Sequence, residues 1–380
     1  MDKIKQLTRK DFLKKGGLLG ASLTLPAAFQ SSATHKYENR LPYWKGFNLQ
    51  YFYKLNRGIH EPKEEHFKWI SDWGFNFVRL PMSYRTWLKK KVYANTNIDV
   101  KEVYKIDEST LELIDKAVHY GEKYGIHVNL CFHHAPGFCI HNDVVEPFSL
   151  WGDEKAIEAF EFHWKLFAKR YKHISTSNLS FNLFNEAPWP YDNFNGEIYR
   201  RSVEPAVRAI RKATPHRIII ADGAGAGNLT VPELIPLGID QSVHCYIPGS
   251  ISHYDVSWIS GVDWEDPIWP NAIDQHGYKW DRERLEMYYT PWKKLIKQGV
   301  GVHLGETSGS HKLPHDVFLA WFRDVLEIFH EMKVGYCLWD FIGASNFGIL
   351  DSNRADVEYE DWYGHKLDRK LLTMLQEFQS

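Results

Sequence analysis

The sequence is poor in cysteine and has no strong excess of charge of either sign. Its 380 residues include four cysteines, Cys131, Cys139, Cys245 and Cys337. Three of these lie in apolar runs typical of strands, so we expect buried thiols and neither a disulfide framework nor a zinc site. The net charge of −2 leaves no basic field to neutralise phosphates, so a nucleic-acid partner is not expected.

Long apolar runs are also missing, apart from one near the amino terminus. Six basic residues precede a run of small and apolar residues over 16–28, which is too short to span a bilayer as a mature helix. The string TRKDFLKK from Thr8 is similar to a twin-arginine export signal, with Lys10 at the second arginine. We predict a cleaved export signal over residues 1–33, no membrane span in the mature chain, and a periplasmic or extracellular location. An amphipathic helix is the alternative.

After residue 40, short β-rich runs alternate with segments of helical periodicity, which is the pattern of βα units around a parallel sheet. Most of the runs lack polar alternation, as expected for strands covered on both faces. Eight such runs favour a closed barrel over an open doubly wound sheet, so we predict a single (β/α)8 TIM barrel with elaborated βα loops over residues 34–380. The predicted strands are 44–49, 75–80, 126–132, 179–184, 217–221, 242–246, 301–305 and 335–339.

Helical periodicity is clearest over residues 154–171, where apolar side chains recur along one face as a core stripe. Similar patterns predict helices over 109–124, 199–214, 282–297, 314–332 and 366–378. The longest irregular stretch, 247–281, carries six tyrosines and tryptophans, which argues against disorder.

Chemically capable residues gather where the predicted strands end, and in a βα barrel the carboxyl ends of the strands build the active site. A single polar residue at such a position is often structural, so the set as a whole carries the prediction. The candidates are Arg79 at the end of the second strand, His133 and His134 at the end of the third, Asn185 and Glu186 at the end of the fourth, His244 and Tyr246 at the end of the sixth, Glu306 at the end of the seventh and Trp339 at the end of the eighth.

Two of these candidates are carboxylates on strands that face each other across the barrel. Acetal hydrolysis needs such a pair, because one group protonates the departing oxygen and the other attacks or activates water. Glu186 and Glu306 are therefore the natural pair, whereas the other glutamates lie mostly on predicted helix faces.

Six strings together resemble glycoside hydrolase family 5, the cellulase-type retaining β-glycosidases, and they occur in the family's order. They are VRLP from Val78, FHHAPGF from Phe132, FNLFNEAP from Phe181, HCY from His244, GET from Gly305 and LWDF from Leu338. The resemblance implies a retaining hydrolase of β-glucan or a related β-glycan that needs no cofactor. One departure is Ala187, which separates Glu186 from Pro188.

The resemblance also implies a role for each candidate. Glu186 would be the acid/base and Glu306 the nucleophile. Asn185 would bind the sugar 2-hydroxyl, Arg79 would orient Glu306, and Tyr246 would donate a hydrogen bond to it. His133 and His244 would line the site of the cleaved sugar above a floor formed by Trp339, and His134 matches less well than His133.

Two other hypotheses stay open at this stage. One is a barrel that binds carbohydrate without catalysis, since fold alone does not determine function. The other is a metal-dependent hydrolase that uses His133, His134, His141 and Asp143, although adjacent strand residues point to opposite faces and no HExxH spacing occurs. The segment 247–281 could form sugar platforms, close one end of a cleft or pack inward, so the glycan, the linkage and the choice between endo and exo cleavage stay open. The sequence carries no signal for an oligomeric state.

Overall fold

The computed structural model describes residues 38–191, 193–262, 264–343 and 346–379. Within these residues, eight strands form one sheet in which neighbouring strands run parallel. The strands are β1 (Lys45–Asn48), β2 (Phe77–Ser83), β3 (His127–Ala135), β4 (Leu179–Asn182), β5 (Ile218–Asp222), β6 (Asp240–Cys245), β7 (Val302–Thr307) and β8 (Tyr336–Leu338).

The sheet closes on itself. Its order is β2-β1-β8-β7-β6-β5-β4-β3, and β2 pairs again with β3 through seven register partners from Phe77 to Ser83. All eight predicted strands are present, with ends shifted by a few residues. The predicted (β/α)8 barrel is confirmed.

Helices cover the outside of the sheet. The six predicted helices are confirmed, and a seventh, Glu64–Asp72, was not predicted. Between β5 and β6 there is only the short helix Ala224–Gly227 and the 3-10 helix Pro232–Leu237. The helices are α1 (Glu64–Asp72), α2 (Glu108–Tyr124), α3 (Glu154–Arg170), α4 (Gly196–Ala213), α5 (Arg282–Lys297), α6 (His315–Glu331) and α7 (Arg369–Glu377).

Smaller elements decorate the connections. Short helices lie at Leu55–Arg57, Tyr84–Trp87, Val100–Tyr104 and Gly249–Ser252, and Phe138–Cys139 pairs with the end of β3. Two antiparallel hairpins join Ala272–Ile273 to Lys279–Trp280 and Glu360–Trp362 to His365–Leu367.

Side-chain caps start several of the main helices. Asp107, Asn195, Asp281 and Asp368 each accept a hydrogen bond from a backbone N–H in the first turn of α2, α4, α5 and α7. A cap of this kind satisfies one of the donors that the first turn of a helix leaves without a partner. These residues therefore determine where each helix begins.

The core stripe of α3 holds the carboxyl end of β4 in place. Trp164 is fully buried, and its ring stacks on Phe132 with centroids 3.9 Å apart. Its indole N–H donates to the carbonyl oxygen of Leu183 at 3.0 Å, two residues before Asn185. The same helix thus packs the barrel and fixes the chain just ahead of a predicted site residue.

All four cysteines are free thiols, and their predicted burial is confirmed. No helix among the described residues is long and apolar enough to cross a membrane. The export signal predicted for residues 1–33 lies outside the described residues and stays a prediction.

Candidate active site

The two glutamates predicted as the pair approach each other at the carboxyl ends of the strands. One oxygen of Glu186, one oxygen of Glu306 and one ring nitrogen of His244 all lie within 4.8 Å of one another. The side chains are buried, with Glu186 6% and Glu306 3% exposed. The barrel thus presents two desolvated carboxyl groups side by side at the end where βα barrels do their chemistry.

Glu306 is positioned by an irregularity in β7. The register of β7 against β6 shifts between Leu304 and Glu306, which is a β-bulge at Gly305 that re-aims the following side chain. Gly305 is required there, because a Cβ atom would lie 2.3 Å from the hydroxyl oxygen of Ser242. The GET string is therefore a bulge followed by the carboxylate that it orients.

Arg79 binds Glu306 directly. Its Nη1 donates to Oε1 of Glu306 at 2.5 Å, and the guanidinium is itself fixed by three asparagines. Tyr246 donates from its hydroxyl to the other oxygen, Oε2, at 3.3 Å. The three asparagine contacts of Arg79 are to Oδ1 of Asn48 at 3.1 Å, of Asn182 at 3.0 Å and of Asn185 at 2.8 Å.

Glu186 stands in a turn that the chain after β5 holds in place. Its φ of 51° lies in the left-handed region, which is uncommon for a residue with a side chain. Its N–H donates to Oδ2 of Asp222 at 2.9 Å. The N–H of Ala226 donates to the carbonyl of Ala187 at 2.8 Å, so the alanine that departs from the family string takes part in the turn.

Asp222 joins the elements of the site and was not predicted. Besides the N–H of Glu186, it accepts from Nδ2 of Asn182 at 2.9 Å, and its Oδ2 lies 3.1 Å from Nε2 of His244 and 3.4 Å from Nη2 of Arg79. It is the last residue of β5, one position beyond the predicted run 217–221. The strand-end rule that selected the other candidates would have found it.

The charged groups around Glu186 and Glu306 shift one another's pKa values. Burial by itself lowers the pKa of His244, but the carboxylates of Glu306 and Asp222 outweigh it and raise the pKa to about 10. Burial would raise the pKa of Asp222, but His244 and Arg79 lower it to about 2. At neutral pH His244 is therefore an imidazolium and Asp222 a carboxylate.

Glu306 experiences opposing influences. Burial raises its pKa, the positive charges of His244 and Arg79 oppose that rise, and neighbouring Glu186 adds to it. The net pKa of Glu306 is raised. The charges of His244 and Arg79 therefore reduce the free-energy cost of ionising this buried carboxyl group but do not cancel that cost.

Asn185 carries an unused donor beside the pair. Its Oδ1 accepts from Arg79, whereas its buried Nδ2 has no hydrogen-bond partner among residues 38–379 as far as they are described. A buried donor without a partner is costly unless a ligand completes it. The amide is thus available to a hydroxyl group of a bound molecule.

The two adjacent histidines have different surroundings. The ring of His133 lies against Trp339, with centroids 5.7 Å apart, and its Nε2 is 3.1 Å from Nε2 of His141. His134 instead contacts the Ser83 hydroxyl at 3.0 Å and Glu146 at 2.9 Å. His133 and Trp339 therefore share one surface, whereas the partners of His134 are the last residue of β2 and a residue of the connection after β3.

The aromatic residues of the segment 247–281 divide between two roles. The indole N–H groups of Trp269 and Trp280 donate to Asp324 and Asp274, both at 2.8 Å, and Trp264 packs on the cluster that contains Tyr246 and Trp339. Trp258 differs, because 46% of it is exposed and its ring lies 5.9 Å from that of Phe347. One tryptophan is thus presented outward near the site, and these others are packed.

The metal hypothesis receives no geometric support. Among the described residues, the one group of His, Cys, Asp and Glu atoms close enough to share an ion is Glu186, His244 and Glu306, and it includes none of His133, His134, His141 or Asp143.

A buried pair of carboxyl groups at the open end of a parallel barrel defines the class of barrel glycosidases. The comparisons with known proteins agree. The model of the cellulase family, glycosyl hydrolase family 5, matches residues 35–345. The chain belongs to glycoside hydrolase family 5 and is an enzyme that hydrolyses O-glycosyl bonds.

Individual relatives extend the match over most of the chain. Cellodextrinase A of Ruminococcus flavefaciens is 28% identical over 301 residues, which cover 75% of this chain and 81% of the relative. Endoglucanase C of Acetivibrio thermocellus is 22% identical over 324 residues, or 78% of this chain and 88% of the relative. A crystal structure of a glycoside hydrolase is 37% identical, covers 89% of this chain and 99% of its own, and superposes with a TM-score of 0.81.

Proposed function

We propose that this protein is a retaining β-glucanase that cleaves β-1,4-linked glucan chains or cellodextrins, with Glu186 as the acid/base and Glu306 as the nucleophile. The observation that carries the proposal is the distance between the two carboxyl groups, whose nearest oxygens lie within 4.8 Å. Retaining glycosidases hold their carboxyl groups about 5–5.5 Å apart, whereas inverting enzymes leave about 6.5–9.5 Å for a water molecule.

The assignment of the roles follows from the charges around each group. Glu306 accepts hydrogen bonds from the Arg79 guanidinium and from the Tyr246 hydroxyl, and both donors favour the ionised carboxylate. Arg79 and His244 carry two positive charges, and Asp222 and Glu306 carry two negative charges. The buried cluster is therefore neutral with one proton on the pair of glutamates. We assign that proton to Glu186, as a general acid requires, because Arg79 and Tyr246 both donate to Glu306.

The reaction then runs in two steps. A Glu306 oxygen attacks the anomeric carbon, the bond from that carbon to the leaving oxygen breaks, and Glu186 gives its proton to that oxygen. In the second step Glu186, now a carboxylate, takes a proton from water, whose oxygen attacks the same carbon and displaces Glu306. The available amide N–H of Asn185 is suited to a sugar hydroxyl beside that carbon.

The choice of glucan rests on the relatives. Two of them are named cellodextrinase and endoglucanase, and each is matched over three quarters or more of this chain. The exposed ring of Trp258 beside the site is compatible with a long glucan chain, because an aromatic face can stack on a sugar ring.

Azide rescue separates the two roles in one experiment. In Glu186→Ala, azide should intercept the glycosyl-enzyme and give a β-glycosyl azide, because a second inversion follows the first. In Glu306→Ala, azide should replace the missing nucleophile in a single inversion and give an α-glycosyl azide. The substrate is an aryl β-cellobioside with an acidic phenol, because such a leaving group departs without a proton from Glu186. Proton NMR of the glycosyl azide products distinguishes the two anomers.

Two results would contradict the proposal. Wild-type enzyme that releases the α-anomer first would be inverting. Calorimetric binding of cellodextrins without any turnover would favour the alternative of a carbohydrate-binding barrel. Replacing β-1,4-glucan with mannan, xyloglucan or mixed-linkage glucan in the same assay tests the substrate independently of the mechanism.

A further inference from the structure

A hairpin after β8 has a tyrosine, Tyr363, at a turn position that usually holds a different type of residue. Strands Glu360–Trp362 and His365–Leu367 pair so that Trp362 lies opposite His365, which leaves Tyr363 and Gly364 as a two-residue loop. Both have positive φ, 52° and 83°, as in a type I′ turn. Such turns favour Asn-Gly, and a residue with a bulky side chain in the left-handed region costs about 1–2 kcal/mol.

The side chain of Tyr363 is exposed and yet fixed. It is 75% exposed, which exceeds the exposure of every other large hydrophobic residue in the described part of the chain. One face of its ring stacks on Trp69 of α1, with centroids 5.3 Å apart and planes 10° from parallel. Trp69 is itself buried. The opposite face of the tyrosine ring is therefore presented to solvent in a defined orientation.

The surroundings of this ring are polar. Lys68 and Asp72 form an ion pair at 2.5 Å on the same helix as Trp69, and the ring of His365 lies 5.8 Å from Trp69 and is bound to Asp351 at 2.7 Å. None of the other large exposed hydrophobic residues lies on α1 or in the segment 351–379. A protein partner would need a broader apolar patch than one ring.

We propose that Tyr363, supported by Trp69, is the platform of a second, non-catalytic glycan-binding site on the flank of the barrel, which binds one β-linked glucan chain. This inference rests on the proposed function, because the occupant is a further stretch of the same polymer. A flat aromatic face with charged groups around it suits a pyranose ring, whose axial C–H groups pack on the ring while its hydroxyls contact polar side chains.

Such a site would keep the enzyme on a polymer between cleavage events. Tyr363 contributes none of the contacts of Glu186 or Glu306, and its hairpin is joined to the chain after β8 through the bridges Leu350 to Leu367 and Ile342 to Leu350. The site should therefore matter for long or insoluble glucans and have no effect on substrates of a few sugar units.

Three substitutions at one position test the proposal. Tyr363→Phe keeps the ring, Tyr363→Leu keeps apolar bulk without a flat face, and Tyr363→Asn removes the ring and suits the turn, so that folding is retained. Binding is measured by depletion onto insoluble cellulose and by affinity electrophoresis in soluble β-glucan. A Glu306→Gln background prevents hydrolysis during these measurements.

We expect the Leu and Asn variants to bind polymer about three- to tenfold more weakly and the Phe variant to bind like the parent. In the catalytically intact background, kcat/KM for cellotetraose should be unchanged in all three, and the rate on subsaturating insoluble glucan should fall for Leu and Asn alone. Polymer binding that is equal in all three variants and the parent would overturn the inference. If the wild type neither binds nor cleaves any β-glucan, it is the proposed function that fails.

Discussion

Asp222 provides a sharp test of how the site is built, because it binds the N–H of Glu186 and lies beside His244 and Arg79 without being one of the two proposed catalytic glutamates. We predict that Asp222→Asn destabilises the protein and lowers activity together. The carboxylate accepts from the N–H of Glu186 and from Asn182, and it lies within 3.1 Å of His244. An asparagine retains one acceptor oxygen and presents an NH2 group to donors at the other position.

The size of the effect follows from burial. Asp222 and His244 are both fully buried, and removing one partner of a buried ion pair costs about 3–5 kcal/mol. We expect a loss near the lower limit, about 3 kcal/mol in the free energy of unfolding, since one acceptor is kept. A displacement of the Glu186 turn by about 1 Å would lower kcat/KM on the order of 100-fold.

The stability loss should depend on pH in a defined direction. His244 has a folded-state pKa raised to about 10, so its contribution is complete below pH 6.5 and is lost as pH rises through 10. Asp222 has a pKa lowered to about 2, so its contribution is present above its ordinary value of 3.8 and is lost as pH falls through 2. The difference from wild type should therefore be largest between pH 4 and 6.5.

Asp240→Asn is the matched control. Asp240 is also a buried aspartate, but it begins β6 at the opposite end of the barrel, where it binds Arg40 at 2.5 Å and the N–H of Gly301 at 2.8 Å. Denaturant unfolding and kcat/KM on a soluble β-glucan are measured for both variants. Both should lose stability, and Asp222→Asn alone should lose activity beyond the loss of folded protein. Equal kcat/KM values for wild type and Asp222→Asn would refute the reasoning.

Three further predictions follow from single contacts. Tyr246→Phe removes a donor 3.3 Å from Oε2 of Glu306 and should lower kcat about tenfold in steady-state assays, whereas an unchanged kcat would contradict that contact. Because burial raises the pKa of Glu306, the acidic limb of the kcat/KM profile against pH should lie above pH 4.5. Arg79→Gln should move that limb to higher pH, because it removes a positive charge beside Glu306. A limb below pH 4.5 would contradict the raised pKa. Gly225→Ala should lower the free energy of unfolding by about 1–2 kcal/mol, because the φ of Gly225 is +61° and a Cβ atom would lie 2.9 Å from the Trp189 ring. The loss is measured as a lower Tm, and an unchanged Tm would argue against that close approach.

The strands and the positions of Glu186 and Glu306 at the carboxyl ends of strands were predictable because their signals are local. Each buried strand is a short apolar run, and Glu186 and Glu306 follow two such runs directly. Asn48, Asn182 and Asp222 are each the last residue of a strand, but the predicted strands 44–49 and 179–184 run past the first two, and the predicted strand 217–221 stops one residue before the third. Their importance comes from contacts with Arg79 across the barrel, and no spacing in the sequence encodes such contacts.

Other features depend on tertiary packing that sequence patterns do not report. The direction of His134 is determined by Glu146, twelve residues further along the chain, and not by its neighbour His133. The division of the aromatic segment 247–281 into packed rings and an exposed Trp258 follows from distant partners such as Asp324 and Phe347. The positive φ and the high exposure of Tyr363 likewise follow from the hairpin and its packing, and no pattern in the sequence indicates them.

The most direct test of the central claim is to identify the residue that becomes covalently attached to sugar. The enzyme is incubated with an activated 2-deoxy-2-fluoro-cellobioside, which slows breakdown of a glycosyl-enzyme, then digested and mapped by mass spectrometry. We expect one added 2-deoxy-2-fluoro-cellobiosyl group, on the peptide that contains Glu306 and specifically on that residue. A label on Glu186, or no label from a compound that the enzyme turns over with inversion, would contradict it.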